Sequence, residues 1–127
     1  MIEREGRVVT DDGVELYYTS LGDGPQIVCV LAGFYFEKDF AALAAGRTFV
    51  YLHQRGRGLS RVPEGAVVDI RHEAADIETV RTALGIERWS LIGWSYMGTV
   101  TSLYAIEHPS ALVRPVHLCS LGPDQST

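Results

Sequence analysis

A chain of 127 residues is long enough for one domain with a real core and too short for two. Hydrophobic residues make up 46% of it and charged residues 21%, a balance that excludes a disordered segment. The formal net charge of −5 argues against nucleic acid, or an anionic membrane, bound through a basic patch. The first seven residues are charged with no apolar run behind them, so no signal peptide is expected. No apolar segment is long enough to span a bilayer, and the expected location is cytoplasmic. Cys29 and Cys119 each lie in an apolar, strand-like run and are expected as free buried thiols rather than a disulfide.

Residues 4–10 and 14–20 read as two strands joined by Asp11-Asp12-Gly13, whose glycine supplies the positive φ of a tight hairpin. A second turn, Gly22-Asp23-Gly24-Pro25, leads into residues 26–31. That run is continuously apolar, as a strand covered on both faces must be. Residues 37–45 are Ala-rich and predict a short helix stopped by Gly46. Residues 47–53 predict a strand, and 54–65 a loop rich in glycine.

The clearest helix is 69–84, where Ile70, Ala74, Ile77, Val80 and Leu84 recur at helical spacing before Gly85. A strand over 89–93, a helix over 96–108 ended by Pro109, a strand over 112–118 and a polar tail over 121–127 complete the chain. The expected fold is α/β: a mostly parallel sheet of about six strands, an N-terminal antiparallel hairpin and three main flanking helices, in one domain over 1–127.

The residues that carry chemistry are Gly93-Trp94-Ser95-Tyr96-Met97-Gly98, set between a predicted strand and a predicted helix. A serine on such a sharp turn is lifted off the sheet with its Oγ exposed. It also sits over a helix N-terminus, whose partial positive charge favours a developing anion.

With these residues the chain resembles the α/β-hydrolase family, in particular its proline-iminopeptidase-like and esterase-like branch. Leu43-Ala44-Ala45-Gly46-Arg47 running into His53-Gln54-Arg55-Gly56-Arg57-Gly58-Leu59-Ser60 is similar to the family's Asp-Gln-Arg-Gly-x-Gly-x-Ser loop. Ala75-Asp76-Ile77-Glu78 through Leu84-Gly85-Ile86-Glu87-Arg88-Trp89 resembles the helix that leads into the nucleophile strand. Tyr104-Ala105-Ile106-Glu107-His108-Pro109 resembles the continuation of the nucleophile helix. The resemblance implies Ser95 as nucleophile of a serine-dependent hydrolase of ester, amide or peptide bonds. It implies the backbone N–H of Tyr96 as one oxyanion-hole donor and that of Phe34, after Gly33, as the second. Gly33 and Trp94 are then expected beside the bound substrate, a small molecule or peptide.

The chain departs from the family pattern at Ala32, where relatives carry histidine, at Met97 in place of a small residue, and at His53 in place of aspartate. In this fold the triad follows the order Ser, then acid, then His, and relatives place the last two on loops after later strands. Within 127 residues only an incomplete version of the fold is expected, a nucleophile half. Its candidate bases are His53 and His117, and its candidate acid is Asp124. The competing reading is a non-catalytic binding module that keeps the architecture and has lost the triad. Arg55 and Arg57 offer either anion contacts or loop hydrogen bonds, the latter favoured. No cofactor and no metal are expected, since no His, Cys or Asp cluster has ligand spacing. The strand over 112–118 is expected at a sheet edge, open to a complementary C-terminal half or to a second copy.

Overall fold

The structure is a computed structural model that describes residues 3–36 and 39–118, with side chains described as far as residue 114. Six strands form one sheet: β1 (Glu3–Val9), β2 (Glu15–Gly22), β3 (Gln26–Leu31), β4 (Arg47–Leu52), β5 (Trp89–Trp94) and β6 (Leu112–Leu118). Their spatial order is β1-β2-β4-β3-β5-β6. The hairpin β1–β2 and the pair β2–β4 are antiparallel, while β4, β3, β5 and β6 run parallel. The expected α/β architecture, hairpin included, is therefore the observed one, with β6 at one edge. Gly13 takes the positive φ of 85° that the hairpin turn requires.

The unbroken apolar run of β3 is explained by its position between β4 and β5. Cys29 and Leu31 enter the larger core on one face, and Val30 enters a second, smaller core on the other. Burial pushes the Cys29 thiol well above its usual range, so it packs as a small hydrophobe. Cys119 lies outside the described residues.

Two long helices, α2 (Ile70–Ala83) and α3 (Tyr96–Glu107), pack together over the larger core. Asp69 caps α2 by accepting the His72 backbone N–H at 2.9 Å. Ala74, Ile77 and Val80 are fully buried, as their spacing required.

Among the described residues the other face carries a short covering segment, and over 39–45, the described part of the helix expected at 37–45, no α-helix forms. A single turn, α1 (Gly33–Phe36), is followed by a 3-10 turn over Ala41–Leu43. Its bonds are i→i−3: Leu43 N–H to the Phe40 carbonyl at 2.9 Å and Ala44 N–H to the Ala41 carbonyl at 3.1 Å. The aromatic rings decide this. Phe40 stacks on Phe49 of β4 with ring centroids 5.5 Å apart, and Phe36 meets Phe40 at 5.8 Å. Seating both rings on the sheet outweighs the modest helix preference of the alanines.

Candidate active site

Ser95 stands between β5 and α3 with φ 55° and ψ −125°, a conformation that costs a non-glycine residue ~1–3 kcal/mol. The turn is possible because the strand and helix backbones nearly touch. A Cβ on Gly93 would lie 2.4 Å from the Met97 carbonyl oxygen and 2.3 Å from Thr101 Oγ1. Ser95 occupies the N-cap of α3, a position where serine ordinarily spends its hydroxyl on a backbone N–H. It makes no such side-chain cap. The hydroxyl is thus left for other partners, and the Tyr96 N–H, in the first turn of α3, has no intrahelical acceptor.

Facing the elbow is the segment after β3. Ala32 also has a positive φ of 55°. Its N–H donates to Gln54 Oε1 at 2.6 Å, and its carbonyl accepts the Tyr35 N–H at 3.0 Å. Gly33 is wedged under this turn: a Cβ there would lie 2.6 Å from the Tyr51 carbonyl carbon. Phe34 is thereby carried over the sheet end toward Ser95. Between the two segments lies a cleft of about 300 Å³, walled by the rings of Phe34, Tyr35, Trp94 and Tyr96 together with Ala32 and Met97. Ser95 and Arg57 both open into it. Of the two residues expected beside substrate, Trp94 lines this cleft, 43% exposed, whereas Gly33 is buried beneath it.

A buried carboxylate that the sequence reading did not single out supports the cleft wall. Glu73 of α2 accepts the Tyr96 hydroxyl at 2.7 Å and Arg57 Nη1 at 2.5 Å. The Arg57 guanidinium also lies 5.4 Å from the Tyr96 ring centroid. Loss of water around the phenol, then the Glu73 hydrogen bond, push the Tyr96 hydroxyl up to about 12. The signal for Glu73 was present in the chain: it is an acid inside the apolar stripe, three residues after Ile70 and four before Ile77.

Arg55 has a different task. It is 1% exposed and donates to Asp76 twice (2.7 and 2.8 Å), to Asp12 twice (2.8 and 3.2 Å) and to the Val67 carbonyl (2.7 Å). All five of its N–H groups are used, so it is the loop-holding residue that was expected. Its guanidinium holds the Asp12 carboxyl well below the usual carboxylate range.

The expected histidines are distributed unevenly. His53 is buried, with Nδ1 accepting the Leu59 N–H at 2.9 Å and its ring edge-on to Tyr17 and Phe34. Its Nδ1 is thus engaged by the loop, and His53 stands outside the residues that line the cleft. His117 is placed by its backbone opposite Gly93, while its side chain and all of Asp124 lie outside the described residues. His108 ends α3 beside Tyr104, and His72 is paired with Asp69 at the exposed start of α2. Among the described residues, no group of three or more His, Cys, Asp and Glu side chains is arranged to hold a metal. Among those residues, no helix is long and apolar enough to cross a membrane.

A strained serine on a sharp turn between strand and helix has the strand–turn–helix context of the elbow in α/β hydrolases. The family model for the alpha/beta hydrolase fold matches residues 31–127, and the chain belongs to that family. It is 30% identical over 128 residues to the AB hydrolase superfamily protein YclE of Bacillus subtilis, covering 98% of this chain and 44% of that one. With the proline iminopeptidase of Neisseria meningitidis serogroup A it shares 31% identity over 116 residues, 85% of this chain and 34% of the relative. The crystal structure of a Mycobacterium smegmatis proline iminopeptidase superposes with a TM-score of 0.80 at 26% identity, over 92% of this chain and 44% of that one. The chain thus spans less than half the length of each.

Proposed function

We propose that this chain carries the nucleophile half of a serine hydrolase that cleaves ester, amide or peptide bonds by acyl transfer. The observation that carries this reading is Ser95 itself. It is held at φ 55° with its hydroxyl unused as a cap, at the mouth of the cleft. Backbone strain at a non-glycine residue is retained where function repays it. In the reaction, Ser95 Oγ adds to a carbonyl carbon as a base takes its proton. The negative oxygen is met by the N–H groups of Tyr96 and Phe34, each donor commonly worth ~3 kcal/mol. The leaving group departs with a proton, and water then releases the acyl group from Ser95.

The base is His117 or a residue supplied by further chain, because His53 Nδ1 already serves the Leu59 N–H. The acid is Asp124 or a residue of the same further chain. A complementary half or a second copy would pair with β6 at the sheet edge. The substrate is a small molecule or peptide, and the working location is the cytoplasm. The test is labelling by a fluorophosphonate probe, which reacts with serines activated by a base and an oxyanion hole. Labelling of the wild-type chain that vanishes in Ser95→Ala is the expected result. Absence of labelling from folded protein, alone and in the presence of any complementing chain, would sink the reading.

A further inference from the structure

Among the described residues, Arg57 is the one charged side chain that lines the Ser95 cleft; the nearest lining carboxylate, Asp39, belongs to an adjoining hollow that shares the Tyr35 and Trp94 walls. Its side chain is 34% exposed, whereas that of Glu73, which binds it, is 1% exposed. The pair is therefore polar in a fixed direction: the anion points into the protein and the cation toward the cleft. Among the described residues only one of its five side-chain N–H groups, on Nη1, has an oxygen acceptor, and that bond pins the plane of the fork. The Tyr96 ring beneath restrains it further. The result is a guanidinium already oriented before ligand arrives, with its Nε and Nη2 hydrogens available for a planar, two-oxygen partner. The N-terminal turn of α3 adds positive potential at the same mouth. Apart from Ser95, the remaining walls are the aromatic rings with Ala32 and Met97.

We propose that Arg57 is a specificity-determining residue that receives a carboxylate on the substrate, so that the cleft takes carboxylate-bearing acyl compounds with an aromatic or apolar body. This deepens the hydrolase reading by naming its substrate class, and it rests on that reading for the identity of the scissile bond. The carboxylate would sit against Arg57 while the hydrophobic body packs on Phe34 and Trp94. A substrate that lacks the carboxylate would leave Arg57 only its Glu73 bond.

The test reads binding rather than turnover, so that it stands apart from the fate of Ser95. Trp94 lies in the cleft and Trp89 is fully buried, which makes the change in indole fluorescence a report on cleft occupancy. The probes are 3-phenylpropionate and its uncharged analogue 3-phenylpropionamide. The acid is expected to bind about tenfold more tightly than the amide at low salt, with the gap narrowing as salt rises. Arg57→Gln removes the gap. The double variant Arg57→Gln with Glu73→Gln does so without leaving a buried carboxylate unpaired, and it retains a partner for the Tyr96 hydroxyl. Ser95→Ala keeps the preference although it abolishes probe labelling. Loss of labelling with the preference intact would therefore count against the nucleophile alone. Equal affinity for acid and amide, a preference that survives in the double variant, or failure of the acid to bind at all would each overturn the proposal.

Discussion

Arg55 and Arg57 lie two residues apart in one loop and do opposite things. Arg55 is enclosed, with every N–H engaged by Asp76, Asp12 and the Val67 carbonyl. Arg57 is held at one nitrogen by Glu73 and faces the cleft with the rest. The intervening Gly56, at φ 73°, swings the chain so that the first side chain turns toward α2 and the hairpin and the second toward the elbow. Residue type and sequence neighbourhood are the same for both. What separates structural from recognition arginine is the number of acceptors already in place, and that is set by elements far away in the chain.

The sharpest way to break this contrast is to remove each guanidinium. Arg55→Leu would leave Asp76 buried without its cation, and it is expected to cost ~3–5 kcal/mol in urea unfolding. Arg57→Leu, whose partner is buried but whose own head is partly solvated, should cost about half as much or less. Equal losses would dissolve the distinction. Next in size is the elbow that Arg57 overlooks. Gly93→Ala forces a Cβ against the Met97 carbonyl and Thr101, and ~2–3 kcal/mol of destabilisation is expected from overpacking, with loss of fluorophosphonate labelling. Unchanged labelling in that variant would mean that the close approach of β5 and α3 does not set the serine.

A smaller effect sharpens the comparison through pH. Asp12 is depressed mainly by its hydrogen bonds from Arg55, so the folded state holds its proton less well than the unfolded chain does. The resulting stabilisation is present in full above the ordinary carboxylate range and is lost as pH falls below about 4. Glu78, brought down to about 2 chiefly by Arg81, behaves the same way away from either corner. In Asp12→Asn, the slope of stability against pH between about 5 and 3 should flatten while the Glu78 part persists. An unaltered slope would show that Asp12 is not coupled to Arg55 in solution.

Much of this was legible in the residues. The strand–serine–helix punctuation of 89–108 and the Asp-Gly hairpin are local signals, and both formed where they were expected. The helix over 37–45 was misread because its fate depends on where Phe36 and Phe40 find aromatic partners. Those partners, Phe49 of β4 for Phe40 and Trp94 of β5 for Phe36, lie on strands that local propensity knows nothing about. Glu73 was overlooked for a related reason. An acid in an apolar stripe becomes informative only when the Tyr96 hydroxyl and Arg57, 23 and 16 residues away in the chain, converge on it. His53 looked like a candidate base by its place at a strand end. Only the folded loop reveals that Leu59 already occupies its Nδ1.

The Arg55 brace has a kinetic consequence. It joins a hairpin turn to a loop 43 residues later and that loop to a helix 21 residues further on. Such a knot of acceptors can close only after the hairpin, β4 and α2 have each taken shape. Its energy is therefore absent from the early stages of assembly and present only at the end. Weakening it should leave the refolding rate nearly unchanged and quicken unfolding. The loop that carries Arg57 into the cleft thus owes its lifetime to a clasp on the far side of the same turn.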